Sequence, residues 1–254
     1  MFSSKLNKGI IFKNILLSVE GLFDDFEMNI SFQGISIHKM DKTKIYLACI
    51  ELKSEGFQEF KCEKSVNIAI SIHSLEKVFK DIDEDDSLIL IYDDKEQLKI
   101  KLENPKTYKT SEYEIPLIEN YENQQFLVLG NKSNSIIIPS KQFEKICDDL
   151  SATAKEIIIK CYSDGKAAFF IDNEINGKKF VIESNQKEEP EKLCKVEGGK
   201  ETEIVLNLNL LKKIAKAHLA KQVKLLFSHD SPLFIEYNFG KLGFITFYLA
   251  PIKK

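Results

Sequence analysis

Lysine is the residue whose repetition in this chain could do chemistry. The stretch LLKKIAKAHLAK, residues 210–221, carries four lysines and no acid, although the whole chain has 36 basic against 39 acidic side chains. Lys77 and Lys80 form a similar pair, and each stands 136 residues before its counterpart in Lys213 and Lys216. Ammonium groups held at a fixed spacing can contact successive phosphates, an interaction that is blind to base sequence and weakens steeply with salt. A charge run of this kind also suits a plain solvated helix face, and the run by itself leaves both readings open. In a chain of formal net charge −3, a local excess of lysine suggests charge sorted by surface, with the positive side turned toward a polyanion.

Other reactive residue types point away from catalysis. DIDEDDSLILIY (81–92) resembles a calcium loop only superficially: its sixth position is Asp86 and its twelfth is Tyr92, so the glycine turn and the bidentate glutamate are missing. EGGKE (197–201) lacks the first glycine and the hydroxyl residue of a phosphate-binding loop, which argues against ATP use. Cys49, Cys62, Cys147, Cys161 and Cys194 are odd in number and widely spaced, with no C-x-x-C, so neither a disulfide framework nor a zinc site is signalled. The four histidines are scattered, and His218 falls on an apolar helical stripe, where a hydrogen-bonded core residue is expected. No metal, cofactor or enzyme activity is therefore expected.

The elements that must position the lysines follow from periodicity. Four segments repeat apolar residues at i, i+3, i+4 and i+7: Phe12, Ile15, Leu16, Val19; Leu75, Val78, Phe79, Ile82; Phe143, Ile146, Cys147, Leu150; and Leu211, Ile214, Ala215, His218. Alternating runs such as VNIAISI (66–72), LILIY (88–92), EIVLNL (203–208) and KLLF (224–227) read as strands. The first and third helical units are offset by 131 residues, and the second and fourth by 136. The chain therefore reads as an α+β protein of two similar domains, each with two strand-helix-strand units. Its 254 residues with 43% apolar content are enough for two cores. No apolar run reaches the roughly 18 residues needed to span a bilayer, and MFSSKLNKGIIFKN lacks a small-residue cleavage pattern, so an intracellular protein is expected.

On a helix turning 100° per residue, the positions two and five after the first apolar residue lie opposite the apolar stripe. These are Lys77 and Lys80 in the second helix and Lys213 and Lys216 in the fourth, with Lys212 at the edge. In the third they are Lys145 and Asp148, and in the first Asn14 beside Lys13, with Glu20 on nearly the same face as Lys13. A single globule of this size, with a radius of gyration of about 18 Å, cannot enclose a duplex, but several copies in a closed ring could.

KMDKTKIYLACIELKSEGFQEFKCEKS (39–65), TSEYEIPL (110–117), PSKQFEKICDDLS (139–151) and the terminal SPLFIEYNFGKLGFITFYLAPIKK (231–254) resemble the eukaryotic and archaeal sliding-clamp family, that of proliferating cell nuclear antigen. The resemblance covers the whole chain and implies a DNA clamp fold: two similar domains, 1–117 and 135–254, joined by a connecting loop at 118–134. Each would carry antiparallel sheets outside and two helices inside, in a homotrimeric ring. Lys13, Lys77, Lys80, Lys145 and Lys216 match the family's DNA-facing bases, and Lys212 and Lys213 add to them. A pocket for short partner peptides of the PIP-box type would use Met40, Ile45, Pro232, Tyr248, Ala250 and Pro251, with Phe126 or Leu127 from the connector. Subunits would join through KTSEYEIPL (109–117) and KKFVIESN (178–185), and Ser163 stands where relatives often carry a modifiable lysine. The implied partners are double-stranded DNA, DNA polymerases, nucleases, ligases, an ATP-dependent clamp loader and further copies of the chain. The implied location is the nucleus, or the cytoplasm in an archaeon. A subunit of a heterotrimeric or checkpoint-type clamp is the alternative.

Overall fold

The computed structural model describes residues 1–119, 121, 133–172, 177–185, 189, 192–198, 201–216, 218–229 and 231–252. The chain divides into two compact units, one of Met1–Asp41, Ala48–Gln125 and Phe239–Ile245, the other of Lys42–Leu47, Phe126–Asn238 and Thr246–Lys254.

In chain order the first half reads β1 (Phe2–Leu6), α1 (Gly9–Leu17), β2 (Asp25–Ser31), β3 (Gly34–Met40), β4 (Tyr46–Lys53), β5 (Glu59–Cys62), β6 (Val66–Ser71), α2 (Ile72–Phe79), β7 (Ser87–Tyr92), β8 (Gln97–Asn104) and β9 (Lys109–Pro116). Its strands hydrogen-bond in the orders β5-β1-β7-β8-β9 and β4-β3-β2-β6. The pairings of β1, β2 and β8 with their neighbours are antiparallel. Strict alternation of buried and partly buried residues along β2 and β8 shows why these segments become strands: each turns one face to the core and leaves the other partly open to solvent, with Gln97 of β8 fully exposed. Phe12, Ile15 and Leu16 of α1 and Ile72, Leu75, Val78 and Phe79 of α2 are buried, and the rings of Phe12 and Phe79 meet edge-on with centroids 6.2 Å apart. Asp25 Oδ1 and the Tyr121 hydroxyl each lie 2.6 Å from Lys39 Nζ.

The second half repeats this plan with β10 (Asn134–Pro139), α3 (Ser140–Ser151), β11 (Glu156–Cys161), β12 (Lys166–Phe170), β13 (Lys179–Glu183), β14 (Lys195–Gly198), β15 (Thr202–Asn207), α4 (Leu208–Ile214), β16 (Gln222–Phe227), β17 (Leu233–Asn238) and β18 (Gly243–Leu249). Its strand orders are β14-β10-β16-β17-β18 and β13-β12-β11-β15. Phe143 of α3 packs edge-on against Phe169 at 6.3 Å. Helices α1 and α3 start at Gly9 and Ser140, and α2 and α4 at Ile72 and Leu208, so the two offsets read from the sequence recur in the folded elements.

Two expectations about the helices need correction. The apolar stripes of α2 and α4 begin one turn earlier than read, at Ile72 and Leu208, because each helix starts at the residue directly after the strand before it, the last residue of the apolar run in the sequence. Helix α4 also stops at Ile214, so LLKKIAKAHLAK is not one helix: Lys216 and His218 lie beyond its end, and His218 is exposed rather than part of the core. The cause is Tyr237, a fully buried side chain. Its hydroxyl donates to the Ile214 carbonyl and accepts from the Lys216 N–H, both at 3.1 Å. This satisfies the helix end while Ala215, at φ −72° and ψ 86°, turns the chain away. Asn207 caps the other end, its side-chain oxygen accepting from the Leu210 N–H at 3.1 Å.

Tyr237→Phe keeps the ring but leaves that buried donor and acceptor unpaired. It should lower unfolding stability by about 1–3 kcal/mol, read as a lower urea midpoint; an unchanged midpoint would show that water replaces the hydroxyl.

Candidate nucleic-acid and peptide interfaces

Each unit carries candidate basic residues on or next to its two helices. Lys77, Lys80 and Lys145 are exposed, and Lys13 and Lys216 are half-exposed. None of these five ammonium groups has a carboxylate within 4.0 Å among the described residues. Lys77 lies in the last turn of α2 and Lys80 at its C-cap, while Lys212 and Lys213 lie in the last turn of α4. A helix C-terminus carries partial negative charge, so these cations also stabilise the helices that present them.

Lys212 differs from the rest. Its Nζ lies 2.9 Å from Asp148 Oδ1 and donates to Ser151 Oγ at 3.2 Å, tying α4 to α3. The acid that breaks the basic pattern of α3 is therefore met by a base from α4. The pair is half exposed on both sides, which limits its contribution to stability to about 0–1 kcal/mol and leaves Lys212 able to exchange Asp148 for another anion.

The residues expected to receive a peptide fall in both units. Met40, at the end of β3, is half-buried in the first. In the second, Ile45 is 41% exposed and its carbonyl accepts from the Ala250 N–H at 2.8 Å. Tyr248 packs edge-on against Phe234 with ring centroids 4.7 Å apart, and Phe234 follows Pro232 by two residues. Pro232, Tyr248, Ala250 and Pro251 are all half-buried. Phe126 and Leu127 lie outside the described residues. Sequence reasoning missed Phe234, whose alternation in SPLFIEYN places it in a strand without showing that it would support the Tyr248 ring.

The edges expected to join subunits are terminal strands. β9 ends one sheet and β13 ends another. Val181 on β13 is 50% exposed, and Tyr108, just before β9, is 90% exposed.

The remaining reactive groups are quiet. Asp86 is buried and closes its own acidic loop, its Oδ2 accepting from the Asp83 N–H at 2.9 Å and its Oδ1 from Asn104 Nδ2 at 2.7 Å. Among the described residues no grouping of histidine, cysteine and carboxylate could hold a metal ion, and no helix is long and apolar enough to cross a membrane. The five cysteines are free thiols. Burial pushes Cys161 up to about 12 and raises Cys147 further, with Asp148 and Glu144 adding to the latter, so neither supplies a thiolate at neutral pH.

Comparison with known proteins finds family matches over both halves of the chain. The family model described as proliferating cell nuclear antigen, N-terminal domain, matches residues 1–125, and the one for the C-terminal domain matches residues 131–252. The chain is 30% identical over 257 residues to the proliferating cell nuclear antigen of Dictyostelium discoideum, covering 99% of each chain. It is 27% identical over 254 residues to that of Chaetomium thermophilum, covering 99% of this chain and 98% of the relative.

Asp148→Asn should release Lys212. Affinity for a short DNA duplex is expected to rise, and the log–log dependence on salt to steepen by about 0.9 if Lys212 takes one more phosphate. An unchanged slope would place Lys212 off the phosphate path.

Proposed function

The chain belongs to the proliferating cell nuclear antigen family, and from that premise we propose that it is a DNA sliding clamp of replication, three copies of which close into a homotrimeric ring around duplex DNA. The observation that carries this reading is the set of uncompensated lysines at Lys13, Lys77, Lys80 and Lys145 on or at the ends of helices in both halves and at Lys216 just past the end of α4, with Lys212 and Lys213 beside them. Such contacts are individually weak and indifferent to base sequence. A closed ring turns them into long residence, because the duplex leaves only by sliding off an end. The clamp performs no reaction; it raises the processivity of enzymes tethered to it.

Ring closure is supported by the two terminal strands. β9 of one copy pairs with β13 of the next, head to tail, which removes two sheet edges that would otherwise recruit other chains. Residues 118–134 connect the domains 1–117 and 135–254. Polymerases, nucleases and ligases bind through short peptides whose apolar anchors enter a pocket of Met40, Ile45, Pro232, Tyr248, Ala250 and Pro251, with Phe126 or Leu127 from the connector. The exposed Ile45 and the preorganised Tyr248–Phe234 pair favour this, since side chains already held in place lose little freedom on binding. An ATP-dependent loader opens the ring. The eukaryotic relatives favour a nuclear location.

Two measurements test the reading. With loader and ATP, changing Lys77, Lys80, Lys213 and Lys216 together to Glu should shorten polymerase products; equal lengths would remove these lysines from the DNA path. The purified chain should have the mass of a trimer by light scattering, and Val181→Asp should shift it toward a monomer. A wild-type chain that is monomeric alone would instead indicate a subunit of a mixed ring.

A further inference from the structure

A second basic feature lies apart from the helix-borne lysines. In the second unit, a cavity of about 540 Å³ is lined by Pro139, Lys141, Lys192, His218, Leu219, Ala220 and Lys221. Four of these seven residues carry or can carry positive charge, and no acid is among them. They come from three separated stretches: the start of α3, the segment before β14, and the turn between α4 and β16. The Ser140 N–H donates to the Lys221 carbonyl at 3.0 Å, which ties the first stretch to the third. The turn reaches the cavity because Tyr237 ends α4 at Ile214 and Ala215 turns the chain away from the helix axis.

The surrounding charges are specific. Lys141 is exposed and has no carboxylate partner among the described residues. Lys192 is held 2.5 Å from Glu189. His218 faces Lys216 on its own turn and Glu144 on α3. Leu219, 8% exposed, and Pro139 supply an apolar floor. Ammonium groups around an apolar floor act through less water than at an open surface, which strengthens their pull on an anion. A carboxylate offers one charge in one plane. A phosphate offers up to two charges and acceptor oxygens in several directions, which suits point-like ammonium donors arriving from three segments.

We propose that this cavity is a phosphate-binding pocket, with Lys141 and His218 as its hydrogen-bond donors and Lys221 at its rim, while Lys192 is matched by Glu189. The ligand chemistry is a phosphate group, from a nucleic-acid backbone or from a free phosphorylated small molecule. Although His218 sits at the surface, desolvation by the atoms packed around its ring, and secondarily Lys216, hold the imidazole below its ordinary range, against an opposing effect of Glu144. The neutral ring is thereby favoured, and an arriving phosphate draws a proton onto it. The sign follows: binding and protonation favour each other, so the His218 titration midpoint rises on binding and phosphate affinity rises as pH falls through that midpoint.

The test follows the histidine ring signals of the full chain by NMR, titrating pH at constant ionic strength in chloride, in inorganic phosphate and with a short DNA duplex. In phosphate the His218 midpoint should rise by about half a pH unit or more, while the exposed His73 moves no more than it does in chloride. Lys141→Gln should abolish the rise, with the other signals unchanged to report an intact fold. A duplex producing the same Lys141-dependent rise identifies a backbone phosphate as the source; a response to inorganic phosphate alone identifies a free phosphorylated ligand. His218 tracking His73 in both arms, or a rise that survives Lys141→Gln, overturns the proposal. The clamp reading is judged separately, by the product-length test on the helix lysines, and either can fail alone.

Discussion

Short helices have no rotational freedom here, and the rest of the structure depends on that constraint. Segments of seven to twelve residues are marginal as isolated helices in water and persist only by burying one stripe against a sheet. Burying Leu75, Val78 and Phe79, or Leu208, Leu211 and Ile214, sets the phase of the helix, and the phase decides which side chains meet solvent. The outward lysines are therefore a consequence of core packing. Shifting an apolar position by one residue would turn an ammonium group by 100° and bury part of its stem. The interior and the basic surface are one specification written in a single period.

The same coupling explains how much was legible in the sequence. The two offsets, the four stripes and most strand runs are local or periodic signals, and they reappear in the elements. The end of α4 was not legible, because the group that stops it, the Tyr237 hydroxyl, lies 21 residues after Lys216. Nothing between Lys213 and His218 breaks the periodic pattern, so a local reading carries the helix one turn too far and makes His218 a core residue. The Asp148–Lys212 pair was hidden for a similar reason: each residue seems an oddity on its own helix, and only the packing of α3 against α4 turns two exceptions into one contact.

The pattern of basic residues thus has two sources. On the helices, the lysines repeat between halves because the halves derive from one plan. In the turn after α4, Lys216, His218 and Lys221 answer to a different geometry, set by the tyrosine that releases the chain and by the start of α3 that receives it. Duplication fixed the scaffold, while the segments between elements were left free to diverge, as loops on a packed framework generally are.

The distribution of thiols has a consequence of another kind. Cys147, Cys161 and Cys194 in the second unit are buried, whereas Cys49 on β4 and Cys62 on β5 in the first are partly accessible. Oxidation to sulfenic acid needs both access and thiolate character. By access alone, peroxide would reach Cys49 and Cys62 before Cys147 on α3, Cys161 on β11 and Cys194 just ahead of β14. Redox damage would be asymmetric in a molecule whose scaffold is a near-repeat.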